Sequence, residues 1–228
     1  MNDQLPSSIR DIFDFIEKSL VLICERWDIV NSLYRSGSVR IRLLNQTAPG
    51  FFSSIQPILY YDVVLSICRT ADPPKQGKYE NASIEQLIEA IGKSSHHDEG
   101  LLQQLKDAAA NLQRCCDDMR PIRNKRMAHS CLRVALDLTL QENLGVAPHT
   151  IEDAIKEIER ILNLVRIHFG DGERRFLNHP ELYRRNSDIF DALIRACEYQ
   201  NLEQDSTEYV ERFKQSELRH VIVRERID

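Results

Sequence analysis

The chain has 228 residues, 42% of them hydrophobic, 29% charged and 7% aromatic, with a net charge of -5. That apolar fraction excludes wholesale disorder, and eight glycines and eight prolines are too sparse a supply of turns for an all-β sandwich or barrel. The negative balance favours solubility and excludes a generic nucleic-acid coat.

The chain opens on Met1-Asn2-Asp3-Gln4, which lacks the basic region and apolar core of a secretion signal. Ile9, Ile12, Phe13, Ile16, Leu20, Ile23, Cys24 and Trp27 then fall at steps of three and four. They predict one face of a long helix, with Ser8 and Asp11 as its start signal. Gly37 lies in the first break. A second helix is expected from near Pro49 to Arg69, apolar on more than one side and therefore central. Pro57 bends it or marks its start, and Asp72-Pro73-Pro74 ends it.

Ser83-Ile84-Glu85-Gln86 reads as a capping box opening a short helix that stops at Gly92. Residues 93–100, with His96 and His97, read as a solvent loop. Leu101, Leu105, Ala108, Leu112, Cys115, Met119 and Ile122 form a heptad-like seam, in which Pro121 should produce a kink. Leu132, Val134, Leu136, Leu138 and Leu140 alternate and predict a short extended piece. Thr150 is the expected cap of a further long helix carrying Ile151, Ala154, Ile155, Ile158, Leu162 and Val165, ended by Gly170 and Gly172. Beyond it the chain is richer in charge. Ser187 caps an amphipathic stretch with Ile189, Leu193, Ala196 and Cys197, and another surrounds Val210 and Phe213.

The fold class expected is all-α: an antiparallel helical bundle over residues 1–172 with a C-terminal helical extension over 173–228, docked on the bundle or on a partner. The longest apolar run, Leu20 to Cys24, is far short of the roughly twenty residues of a bilayer span, so no membrane contact is expected. The six cysteines include no zinc-knuckle spacing, and most sit among apolar residues. They read as small core hydrophobes in a reducing cytoplasm, and no metal or cofactor is expected.

Residues 114–133 hold six basic side chains, Arg114, Arg120, Arg123, Lys125, Arg126 and Arg133, against two acids, Asp117 and Asp118. A basic stripe on an acidic protein reads either as a focused phosphate site or as a solvated helix face. Inside it lies Arg123-Asn124-Lys125-Arg126-Met127-Ala128-His129. An arginine, a polar residue and then a histidine after a short gap is the signature of HEPN domains. The run follows Phe51-Phe52, Tyr61-Asp62-Val63-Val64-Leu65, Arg69-Thr70-Ala71-Asp72-Pro73 and Asn81-Ala82-Ser83-Ile84 in order. Over roughly residues 10–168 this series resembles the abortive-infection U-type (AbiU-like) branch of the HEPN family. A second arginine–histidine pair, Arg174 and His179, lies between Gly172 and Pro180, outside the bundle pattern, and is discounted.

The resemblance implies a dimeric α-helical bundle and a metal-independent ribonuclease. It implies attack by the RNA 2′-hydroxyl, a 2′,3′-cyclic phosphate product, and the role of toxin or phage-defence effector. Its partners would be RNA and a second copy of the chain, with an antitoxin as a further candidate. Arg123 and His129 would be catalytic, while Arg120, Asn124, Lys125 and Arg126 would hold RNA phosphate. Asp62, Arg69 and Asp72 occupy recurrent positions of the branch. The two acids are either structural anchors for Arg69 or catalytic acids.

The residue chemistry agrees with that assignment on its own terms. Histidine titrates near neutral pH without help, and a guanidinium stabilises negative charge that develops on phosphate. Geometry restricts a single chain. Six helical residues separate Arg123 from His129 by about 240° and 9 Å, so they would not share a helix face. His129 instead continues the heptad from Leu101, Ala108, Cys115 and Ile122. It is either a core histidine or part of a dimer seam that gathers two copies of the motif. Three functions stay open: a ribonuclease, a non-catalytic RNA- or nucleotide-binding module, and a structural dimerisation bundle.

Overall fold

Four long helices carry the core of the computed structural model, which describes residues 5–94, 98–124, 145–177 and 189–197. They are α1 (Ser7–Val30), α3 (Pro49–Thr70), α5 (Glu99–Ile122) and α6 (Pro148–His168), joined by the shorter α2 (Ser38–Thr47) and α4 (Ile84–Lys93). The only strands among the described residues are Lys75–Gln76 and Tyr79–Glu80, a hairpin turned by Gly77 at φ 64°. The chain is an all-α bundle, as its periodicity predicts.

α1 runs antiparallel to α3 and to α6, and α5 runs antiparallel to α6, with side-chain pairs fixing the register. Arg26 meets Asp62 at 2.6 Å, and the Tyr34 hydroxyl donates to the Phe52 carbonyl at 2.8 Å, which sets α1 against α3. Arg166 near the end of α6 pairs with Glu17 of α1, while Arg35 after α1 meets Glu152 near the start of α6 at 3.2 Å. Asn111 reaches Glu157, and Cys115 feels both Asp153 and Glu157, which sets α5 against α6.

α1 buries Ile9, Phe13, Ile16, Leu20, Ile23, Cys24 and Trp27, with Ile12 half-buried. Its start differs from the expected Ser8 signal: Pro6 holds the cap position, and its carbonyl accepts from the Ile9 and Arg10 amides at 3.0 and 2.9 Å. The last turn widens to a π-type turn over Asn31–Arg35, and the chain reverses at Gly37, whose φ of 105° suits glycine. α2 was not expected. It buries only Leu44, too little apolar surface to leave a periodic signal.

α3 corrects the expectation of a central helix. Val63, Val64, Ile67 and Cys68 are fully buried, but Phe51 and Ile58 in its first half are each 60% exposed. Composition cannot distinguish a helix enclosed by neighbours from one that offers an apolar side to solvent. Pro57 lies inside α3 on that exposed half, where the amide it lacks leaves no buried carbonyl orphaned. By length and composition α3 is also the one described helix apolar enough to cross a membrane, with a mean hydropathy of 1.3. A search for uninterrupted apolar runs misses it.

The Ser83 oxygen accepts from the Gln86 amide at 3.4 Å, the first half of the expected box, and α4 runs past Gly92 to Lys93. Asp98 caps α5 through the Gly100 and Leu101 amides. The α5 seam is buried at Leu101, Leu105, Ala108, Leu112, Met119 and Ile122, but it passes from half-buried Cys115 to fully buried Cys116. A straight helix drifts from a strict heptad in this way. Pro121 sits inside α5 without ending it. α6 starts at Pro148 after Ala147 rather than on a Thr150 cap, since proline suits the first helical position. It ends where Gly170, at φ 75°, donates to Ile167 and the Asp171 amide donates to Arg166 at 2.8 Å.

A second small core sits at the α2–α3 corner. Leu33, Leu44 and Phe52 receive Phe190 from a helical segment at 189–197. Arg40 lies 4.3 Å from the Phe190 ring centroid. The expected stripe is therefore rotated: Phe190 is the buried anchor and Leu193 is half-buried, while Ile189 and Ala196 face solvent. The expected His96–His97 loop, the extended piece at 132–140, the Ser187 cap and the stretch around Val210 and Phe213 lie outside the described residues.

Two outcomes follow from this packing. Phe190→Ala should detach 189–197 and speed its cleavage in limited proteolysis by at least about tenfold, with the bundle helices still protected. An unchanged cleavage map would show that Phe190 is not the anchor. Asp28 is buried, its Oδ2 has no partner, and burial pushes its carboxyl up to about 6. The folded state thus holds this proton more tightly than the unfolded chain, so ionisation costs stability as pH rises through about 4 to 6. Asp28→Asn should raise the melting temperature at pH 7.5 and leave it nearly unchanged at pH 4.

Candidate phosphate-binding site at the end of α5

The basic stripe reaches the described structure through Arg114, Arg120 and Arg123, with Asn124 beside them. α5 is regular to Ile122, and the backbone passes through a π-type turn at 123 and 124. Such wide turns re-aim side chains and recur at functional sites. Arg123 Nη1 meets Asp72 Oδ1 at 2.7 Å, and its Nε donates to Asn124 Oδ1 at 3.0 Å. Both partners of the ion pair keep 22% exposure, so the pair is sheltered but not sealed. Further N–H donors on the same fork remain to meet an anion.

The floor beneath Arg123 is a clamp between α5 and the end of α3. Gln113 donates to the Ala71 carbonyl at 2.7 Å and to Glu85 Oε1 at 3.1 Å, and it accepts from Arg120. Arg120 also meets Asp117 at 2.8 Å. One face of α5, at 113, 117, 120 and 124, therefore ties down the turn that presents Asp72. Below it Cys68 of α3 and Cys116 of α5 touch through their sulfurs, both buried. The neighbouring Cys68 sulfur and burial hold the Cys116 proton tightly. The hydrogen bond between the two sulfurs, with the Arg123 and Arg120 charges, draws Cys68 below the ordinary thiol range.

Of the two readings of Asp62 and Asp72, anchors for Arg69 or catalytic acids, the ion pairs do not support the first. Asp62 pairs with Arg26 and Asp72 with Arg123, while the Arg69 side chain is exposed. The structure therefore brings Asp72, Arg123, Asn124 and Arg120 together at one end of the bundle. Asp62 stands three turns earlier on α3, in a separate ion pair. Lys125, Arg126 and His129 lie outside the described residues. Gln113 was missed by sequence reasoning. Its only sequence signal is its heptad step to Arg120 on the polar side of α5.

A groove of about 590 Å³ runs between α4 and α5, lined by Glu85, Ile88, Glu89, Lys106, Gln113 and Arg114 among others. Its carboxylates offset its cations, so it offers phosphate little, and the anion-binding character lies at the Arg120–Arg123 end. No group of three or more His, Cys, Asp or Glu side chains suited to a metal ion occurs among the described residues.

No curated protein and no solved structure matches the chain significantly. The sequence profile HEPN_AbiU2, described as AbiU2, matches residues 7–190. That span runs from the first residue of α1 to Phe190, the anchor of the docked segment, and so covers more than the blocks around the arginine–histidine run. It covers most of the chain, and the chain belongs to the AbiU2 family of HEPN domains.

Proposed function

We propose that the chain is a metal-independent endoribonuclease of HEPN type, acting as a toxin or phage-defence effector. The observation that carries this reading is Arg123, the first residue of the HEPN run, held by Asp72 and Asn124 at the open end of α5. His129 takes the proton from a ribose 2′-hydroxyl or gives one to the leaving group. The 2′-oxygen forms a bond to phosphorus and the bond to the 5′-oxygen breaks, leaving a 2′,3′-cyclic phosphate and a 5′-hydroxyl. Arg123 holds the scissile phosphate and stabilises the charge that grows on it. Arg120, Lys125 and Arg126 bind the flanking phosphates. DNA has no 2′-hydroxyl and would bind without reacting.

The proposal includes a homodimer in which the 123–129 segments of two copies meet across the axis. A two-fold contact sets identical patches against each other and gathers both histidines and both arginines in one cleft. It places the protein in the cytoplasm, where RNA is the substrate and an antitoxin would be the natural restraint.

A second reading is a non-catalytic RNA- or nucleotide-binding module or a structural dimerisation bundle. It is favoured by one feature, the ion pair with Asp72, which already neutralises part of the Arg123 charge.

The two readings diverge in kinetics. His129→Ala should lower RNA cleavage by at least about a hundredfold and leave the fold intact, and a chelator should change nothing. Equal cleavage by wild type and His129→Ala would assign the activity elsewhere. Asp72→Asn removes the anchor and its charge together. RNA binding should tighten as the local charge becomes more positive, while kcat falls between about tenfold and a hundredfold as Arg123 loses its position. Tighter binding with no cleavage by wild type would support the binding module. In light scattering the protein should appear as a dimer, and a monomer at high concentration would remove the shared cleft.

A further inference from the structure

The first half of α3 carries an apolar stripe with solvent on it. Phe51, Ile55 and Ile58 stand at i, i+4 and i+7, the spacing by which one helix packs on another. Phe51 and Ile58 are exposed and Ile55 is half-buried. On α2, Val39 is the most exposed of the large apolar side chains, and Arg42 follows it one turn later, also exposed.

The charge of this corner is one-sided. Between Asp28 and Asp62 the chain contains no Asp, Glu or Lys, and its charged residues are Arg35, Arg40 and Arg42. With 35 carboxylates in 228 residues, a stretch of this length would ordinarily hold about five. Tyr34, Phe51, Phe52, Tyr60 and Tyr61 fall in the same stretch. Arginine and aromatics enriched, with lysine and carboxylates depleted, is the composition of protein–protein interface cores.

The same charge selects the occupant. A two-fold contact of this corner with itself would set the exposed Arg42 against its own copy. A head-to-tail contact with the acidic remainder of another copy would build a ring or an open filament rather than the two-fold pair proposed above. A phosphate polymer or an anionic bilayer calls for several free cations. Here Arg35 is engaged by Asn31 and Glu152, and Arg40 by the Ser32 carbonyl and the Phe190 ring. We propose that the α2–α3 corner docks a different protein, through an amphipathic helix that lays its apolar side on Phe51, Ile55 and Ile58 and an acidic rim toward Arg42. The corner would hold this partner whether or not the Arg123 end cleaves RNA.

The test is selection of displayed helical peptides, with charged positions randomised, on the full-length protein, after depletion on the Phe51→Ser/Ile58→Ser double variant. These side chains are exposed, so the variant keeps its fold, which circular dichroism verifies. The expected winners carry apolar residues at i, i+4 and i+7 flanked by Asp or Glu. A synthetic winner should bind Arg42→Glu and the double variant at least about tenfold more weakly than wild type. RNA cleavage by these variants should match wild type, and its absence from all of them would count only against the ribonuclease. Winners that are neutral or basic, or that bind the variants equally, would overturn the proposal. So would loss in the double variant of self-association, of binding to an RNA oligonucleotide, or of binding to phosphatidylglycerol vesicles. Those results would assign the corner to a second copy, to RNA or to a membrane surface.

Discussion

The ion pair between Asp72 and Arg123 is the constraint on which the candidate site depends. Arg123 lies one residue past the regular part of α5, and a long side chain there would sample many rotamers. Asp72, fixed in the turn after α3, selects one of them at 2.7 Å, and Asn124 fixes the plane of the fork. A charge-assisted pair of this kind is worth roughly 1–3 kcal/mol, small against the fold but enough to set a side-chain orientation. The turn holds still because Gln113 binds the neighbouring Ala71 carbonyl and Pro73 follows at once.

Two arginines of this bundle show how burial divides structural from chemical work. Arg166 is 3% exposed, lies over the Phe13 ring and pairs with both Glu17 and Asp171. Two carboxylates neutralise this guanidinium at a depth where solvent and ligand do not reach it, and removing both acids would strand a buried charge. Arg123 has one carboxylate and one amide and keeps a path to solvent. It can exchange solvent for phosphate without breaking the pair that orients it.

Much of the fold was legible because burial follows period. The faces of α1, α5 and α6 were read from steps of three and four, and their buried residues match except at half-buried Ile12 and at the drift from Cys115 to Cys116. What failed was local. Ser8 and Thr150 look like caps, but prolines start both helices, since a ring with a fixed φ needs no side-chain acceptor. α2 has one buried residue and so no pattern to read. The run holding Arg123 was legible as a motif, but its anchor was not. Asp72 and Arg123 are far apart in sequence, and the nearer Arg69 looked the better partner for the acid. Only the packing of α3 on α5 decides between them.

The anchor also bears on why two copies suit the proposed chemistry. A guanidinium that shares its charge with a carboxylate is a weak site for one phosphate. Phosphate in the reaction gains charge, so the demand on the cations rises toward the transition state. If the helix of α5 ran on through the motif, six residues would set His129 off the face of Arg123. Across a two-fold axis the histidine of one copy can meet the arginine of the other, and the cations of both are summed over one scissile phosphate. In the proposed dimer the acid that orients Arg123 would set a threshold: one chain would bind RNA loosely, and the paired cleft would carry the positive charge that favours the transition state over the bound substrate. In that arrangement Asp72 would couple activity to assembly, which would suit the proposed role of a toxin.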